Sequence, residues 1–210
     1  DEDKDKHFMV GSDEASVLYM ESLGAIELNP WCSRIQKPDH PDWCIIDIDP
    51  STNSFKQVVE ATLMTKQVLD NMNVPAYAKT SGSTGMHIYI PLGAKYTYEQ
   101  SKEFARVIVT LVHQEIPKFT SIERKTVDRK GMIYLDFLQN RPKATLAAPY
   151  SLRPKPGATV SMPLHWDEIK TTLKMNDFTI HNAVDRIREI GDIFEPVLGK
   201  GIDLKKIVGD

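Results

Sequence analysis

The run WCIIDIDP, residues 43–50, constrains this chain more than any other segment. It is apolar on both faces over its first half and rich in isoleucine, the signature of a strand inside a sheet rather than at its edge. Pro50 ends it. Strand alternation puts Asp47 and Asp49 on the face of Ile45, while Ile46 and Ile48 point the other way. Two carboxylates side by side repel each other unless something positive sits between them. Divalent Mg2+ or Mn2+, which prefer oxygen ligands, is the usual answer. A strand end with one solvated and one capping acid has the same spacing, so the pair alone decides nothing.

Two other segments add weight. Asp136 interrupts the apolar run IYLDF and has the same character as the pair. If its strand lies beside residues 43–49, three carboxylates converge, and three carboxylates can hold two ions about 4 Å apart, as in-line phosphoryl or nucleotidyl transfer requires. KTSGSTGMHIYI places two glycines and three hydroxyl residues in a turn whose backbone N–H groups can approach an anion. Ser81 and His87 sit at its two edges, and Lys79 shares a face with Ser81. No GK[ST] follows, so this is not a P-loop. A plain hairpin turn and a satisfied structural histidine explain the same residues.

The rest of the pattern is mixed. Residues 12–24 read as a helix stopped at Gly24, AIEL as a short strand, and the segment after Ser54 as a helix with an apolar stripe from Phe55 to Met72. Val74–Ser81 and Met86–Pro91 read as a hairpin. A second helix spans about Thr97 to Glu115, a strand Met132 to Phe137, a proline-rich ordered loop Asn140 to Pro163, and short helices Leu164–Leu173 and Thr179–Ile190. This order predicts an α+β domain, residues 1–210, with helices on one face of a sheet and the other face open to a substrate.

Composition narrows the class. A chain of 210 residues with 41% apolar content supports one sizeable core. The charged start DEDKDKHFMV is no signal peptide, and no apolar stretch is long enough to span a membrane. Cys32 and Cys44 lack metal-site spacing, as do the histidines, and Cys44 reads as buried. Net charge is −3, yet residues 124–155 carry +6, which leaves −9 elsewhere and points to a focused anion site. Within that stretch Arg129, Arg153 and Lys155 are candidates for a triphosphate or nucleic-acid backbone. Solvent exposure accounts equally well for Arg124, Lys125 and Lys130. Trp31 and Tyr150 have rings that can stack on a base or sugar, with core packing favoured for Trp31.

LGAIELNPWCSR, PDWCIIDIDP, KTSGSTGMHIYIPL, YLDFLQN and AAPYSLRPKPGATVSMPLHWDE together resemble the polymerase domain of the bacterial and archaeal end-joining ligases, the DNA ligase D family, in the archaeo-eukaryotic primase superfamily. The resemblance runs from about Leu18 to Ile190. It implies a primase core with an RRM-like mixed or antiparallel sheet carrying the acids, and template-directed addition of NTP or dNTP to a DNA 3'-hydroxyl during double-strand break repair, with Mn2+ or Mg2+. By the matching motifs, Asp47, Asp49 and Asp136 are the metal ligands, Ser81 and His87 hold the triphosphate, and Lys79, Arg129, Arg153 and Lys155 lie near the nucleotide. DNA ends or a primer-template, a DNA ligase and a Ku-type end-binding protein are the implied partners, in a cytoplasmic, nucleoid-associated setting. Asn29 stands where many relatives have histidine and is a candidate primer or sugar contact that carries no charge. Family domains also carry a further N-terminal layer that this sequence lacks. Two other classes fit the same acids: a metal-dependent nuclease or phosphohydrolase, and a nucleic-acid-binding domain without catalysis.

Overall fold

Trp43–Asp49 (β1) runs through the middle of a six-stranded sheet. The computed structural model describes residues 7–208; the first six residues of the charged start and the last two of the chain lie outside it. The other strands are Tyr77–Thr80 (β2), Met86–Pro91 (β3), Thr120–Ser121 (β4), Ile133–Asp136 (β5) and Pro163–Leu164 (β6), in the order β4-β5-β1-β3-β2-β6. Among the described residues only β4 and β5 pair in parallel; every other neighbour is antiparallel. Ile46, Ile48, Met86, Ile88, Ile90, Ile133 and Leu135 lie on one face and are buried. Phe55–Asn71 (α2) and Tyr98–Glu115 (α3) cover that face with Val58, Val59, Leu69, Phe104, Ile108 and Val112. Both helices start at a capping box, Ser54 with Gln57 and Thr97 with Gln100, which satisfies N-terminal backbone donors. The mixed α+β class expected from the order of elements is therefore found.

Several local expectations are corrected. AIEL forms no strand. Glu14–Ser22 (α1) is a helix, but none of its side chains is buried, so its apolar side does not enter the core. Leu164–Leu173 is not a helix: Pro163–Leu164 becomes the edge strand beside β2, and only Trp166–Glu168 forms a 3-10 turn. Proline at the end of an edge strand costs no ladder bond, which is why this position tolerates it. The second short helix is confined to Ala183–Ile190 (α4), and Leu204–Val208 (α5) ends the described chain. Trp31 is half-buried, edge-to-face against Phe8 at 4.9 Å between centroids, rather than in the core.

The second face of the sheet is not wholly open. Ile45, Tyr89, Cys32, Tyr98, Phe194 and Val197 close one half of it beneath the 3-10 turn Glu195–Leu198. Aromatic side chains at 77 and 89 bring large apolar area to that half and need a cover. The other half carries the acids.

Candidate active site

Strand register brings the predicted residues together. Asp47 of β1 lies directly opposite Asp136 of β5 and, on its other side, directly opposite His87 of β3. Directly opposed residues in an antiparallel pair stand about 4.5–5.5 Å apart at Cα. His87 is in turn opposite Lys79 of β2, and Lys79 opposite Pro163 of β6. One row of the sheet thus reads Asp136, Asp47, His87, Lys79, Pro163, with Asp49 two residues along β1 on the same face.

Asp47, Asp49, Ser81, Ser83, Thr84, Gly85, His87, Arg153 and Asn29 line a cleft of about 290 Å³, with Thr145, Leu146 and Ala147 on the far wall. Its turn is organised by Ser81, whose Oγ accepts the backbone N–H groups of Ser83, Thr84 and Gly85 at 3.0, 3.1 and 2.9 Å. With its lone pairs so used, the Ser81 hydroxyl keeps its own hydrogen for a ligand. Glycine is required at 85, where a Cβ would stand 2.2 Å from the Ile48 carbonyl oxygen, and at 82, where φ is +67°. Arg153 reaches the same turn: Nη1 donates to the Ser81 carbonyl at 2.5 Å and Nε to Glu27 at 2.8 Å.

Nearby cations offset the acids only in part. Burial, then the neighbouring Asp136 and Asp49 carboxylates, push Asp47 up to about 8. Asp49 and Asp136 are also raised, in each case first by burial. Burial and the cations Lys79 and Arg153 hold His87 well below the ordinary imidazole range, so its contact with Asp47, Nε2 to Oδ1 at 3.5 Å, is made by a neutral ring. Asp136 turns toward its own chain, Oδ1 accepting from Leu138 N–H at 2.7 Å and Oδ2 from the Gln139 amide at 3.3 Å. Among the described residues, no group of three or more His, Cys, Asp or Glu side chains is gathered as an ion cage. The donor chemistry nonetheless fits a hard divalent cation: oxygen ligands on one sheet face, each raised first by burial.

The remaining candidates are placed differently. Arg129 lies over the Tyr134 ring at 3.7 Å and donates to the Glu123 and Arg124 carbonyls, and its charge acts on Asp49 and Asp136. Lys155 is exposed and does not line the cleft. Lys79 is fully buried behind His87 and does not line it either. Tyr150 donates to Asp192 Oδ1 at 2.6 Å and packs against the core. Two residues that sequence reasoning passed over matter here. Asn140 is buried and replaces a strand partner for Ile45, accepting its N–H at 2.9 Å and donating to its carbonyl at 2.7 Å. Ser161 bonds the Lys79 ammonium group. The only advance signal for Asn140 was an amide close after Asp136 in LDFLQN.

Comparison with known proteins identifies the family and the fold. The family described as LigD, primase-polymerase domain, matches residues 1–194. The bifunctional non-homologous end joining protein LigD of Bacillus subtilis is 33% identical over 185 residues, 87% of this chain and 30% of that protein. The multifunctional non-homologous end joining protein LigD of Pseudomonas aeruginosa is 30% identical over 169 residues, 80% of this chain and 20% of that protein. The chain therefore spans a third or less of the length of these curated relatives. The polymerase domain of Mycobacterium tuberculosis ligase D, solved in complex with DNA, superposes with a TM-score of 0.80 at 22% identity, over 89% of this chain and 68% of that one, which establishes a shared fold. On the strength of a family match covering nearly its whole length, this chain belongs to the LigD primase-polymerase domain family.

Proposed function

We propose that residues 1–210 form one catalytic domain that adds nucleotides from NTP or dNTP to a DNA 3'-hydroxyl, directed by a template, in the repair of double-strand breaks by end joining. The observation that carries this reading is the strand register that sets Asp136 opposite Asp47, which with Asp49 lines a polar cleft. Asp47, Asp49 and Asp136 would hold Mn2+ or Mg2+, which when bound supplies acidity to the attacking hydroxyl and charge neutralisation at the triphosphate. The Ser81 hydroxyl and the cleft edge of His87 bind phosphate oxygens, and Arg153 adds positive charge to the same wall. Arg129 offsets Asp49 and Asp136 near the nucleotide, Asn29 contacts the sugar or primer, and Lys155 meets the nucleic-acid backbone from outside the cleft. On this reading the sheet is the RRM-like sheet of an archaeo-eukaryotic primase core. DNA ends or a primer-template, a ligase and a Ku-type protein are its partners.

Extension of a labelled primer-template with NTP and Mn2+ tests the proposal. The parent chain is expected to lengthen the primer, and Asp47→Ala to lower the rate at least about 100-fold while remaining folded. Shortening of the primer identifies a hydrolase instead. DNA binding without extension, unchanged in Asp47→Ala, identifies a non-catalytic binding domain.

A further inference from the structure

The row of side chains that begins with the acids continues behind the cleft wall. Lys79 has no exposed surface and stands directly opposite His87. Burial works against the charge on Lys79, and Asp47 favours it; as an ammonium group it has three donors and no acceptor, so each buried contact it makes assigns the direction of a hydrogen bond. One donor goes to Ser161 Oγ at 2.5 Å. Ser161 cannot be the donor there, because its own hydrogen is directed at the Thr80 carbonyl 2.9 Å away. A second donor points at Nδ1 of His87, 2.8 Å away. On another side Nζ stands 5.7 Å from the centroid of the Tyr89 ring. Nδ1 must then accept, and the hydrogen of a neutral imidazole is left on Nε2, the edge that faces Asp47 and the cleft.

The anchor is itself held. Thr80 Oγ1 donates to the Val160 carbonyl and accepts from Met162 N–H, which zips the arm carrying Ser161 onto β2. Ser161, 82 residues from Lys79, thereby anchors the one side chain that meets this ring nitrogen. We infer that Lys79, anchored by Ser161, is a positioning residue that holds His87 in the Nε2–H tautomer, so that the cleft presents a fixed hydrogen-bond donor to a triphosphate. Lys79 acts through His87 and does not touch the ligand. The ligand class rests on the proposed function; the tautomer does not.

The test is a long-range proton–nitrogen NMR correlation on the full chain with 15N-labelled histidine at neutral pH. The His87 signals are assigned by their loss in His87→Gln. The expected result is one neutral ring protonated at Nε2. Nδ1–H, or both nitrogens protonated, overturns the proposal whatever any variant does. Lys79→Met is expected to abolish the bias and to weaken binding of a non-hydrolysable triphosphate analogue, read by calorimetry, about tenfold. In a His87→Gln background Lys79→Met is expected to add nothing further. An unchanged tautomer in folded Lys79→Met overturns the proposal. Should that variant fail to fold, Ser161→Ala, which frees Lys79 without removing it, is expected to erode the same bias, and an intact bias there also overturns it. If the parent chain shows the Nε2–H ring yet binds no triphosphate, the positioning role stands and the polymerase reading falls.

Discussion

Asp47 shows how one side chain can carry opposed demands. Half-buried beside two other carboxylates, it holds its proton to about pH 8. A folded-state value above the unfolded one means the native state keeps a proton the unfolded chain has released, so this residue makes stability fall as pH rises from about 4 toward 8. Asp49 and Asp136 act in the same direction. His87, held low, acts in the opposite one, since the unfolded chain protonates it where the native chain does not. The Asp47 share is isolated by Asp47→Asn, which cannot ionise. Its Tm advantage over the parent is expected to grow between pH 5 and pH 8, to the order of 5 °C. A constant Tm difference across that range, measured by calorimetry in chelator-treated buffer, would count against a raised Asp47.

At the scale of elements, the decisive join is between β1 and β5, which pair over only three residues, Asp47, Ile48 and Asp49. Beyond Asp47 the chain after β5 turns away, and the Asn140 side chain takes over the ladder at Ile45. The same amide donates to the Phe137 carbonyl at 2.9 Å and accepts from Ser101 Oγ of α3 at 3.1 Å. One residue therefore ties β1, the turn behind Asp136 and a helix of the opposite layer together. Asn140→Ala leaves the Ile45 N–H and carbonyl buried without partners, each costing about 1–3 kcal/mol. The expected loss is about 3 kcal/mol in urea unfolding, with a larger fall in primer extension than the lost stability explains. A variant within about 0.5 kcal/mol of the parent, the size of a neutral surface change, would show that Asn140 does not carry this join.

Across the whole molecule, the helix-covered core and the cleft are separate regions of one sheet. The core face is apolar and sealed by α2 and α3, while the second face is half closed by aromatic packing and half polar. Among the described residues no helix is long and apolar enough to cross a membrane. A cation bound only by the native acids stabilises the whole domain by mass action, about 2.7 kcal/mol at 100 times its Kd. Mn2+ is therefore expected to raise Tm by roughly 5–10 °C, EDTA to reverse the rise, and the combined Asp47→Ala and Asp49→Ala variant to show none. The rise should be larger at pH 8 than at pH 6, because the cation competes with protons for the carboxylates. An equal rise in the double variant places the cation elsewhere.

Much of this was legible in the chain itself. Period-two alternation put Asp47 and Asp49 on one face, the apolar stripes located α2 and α3 nearly to the residue, and motif likeness named the family. These are properties of neighbouring residues, written in local spacing. AIEL, the Leu164–Leu173 segment and the extent of the open face misled, because each depends on what packs against it. That Asp136 stands opposite Asp47 rather than elsewhere on the sheet, that Lys79 is sealed behind His87, and that Asn140 and Ser161 hold them, required strand pairing across tens of residues. Register is set by which apolar faces are buried together and by backbone bonds between distant segments, and no local pattern encodes either.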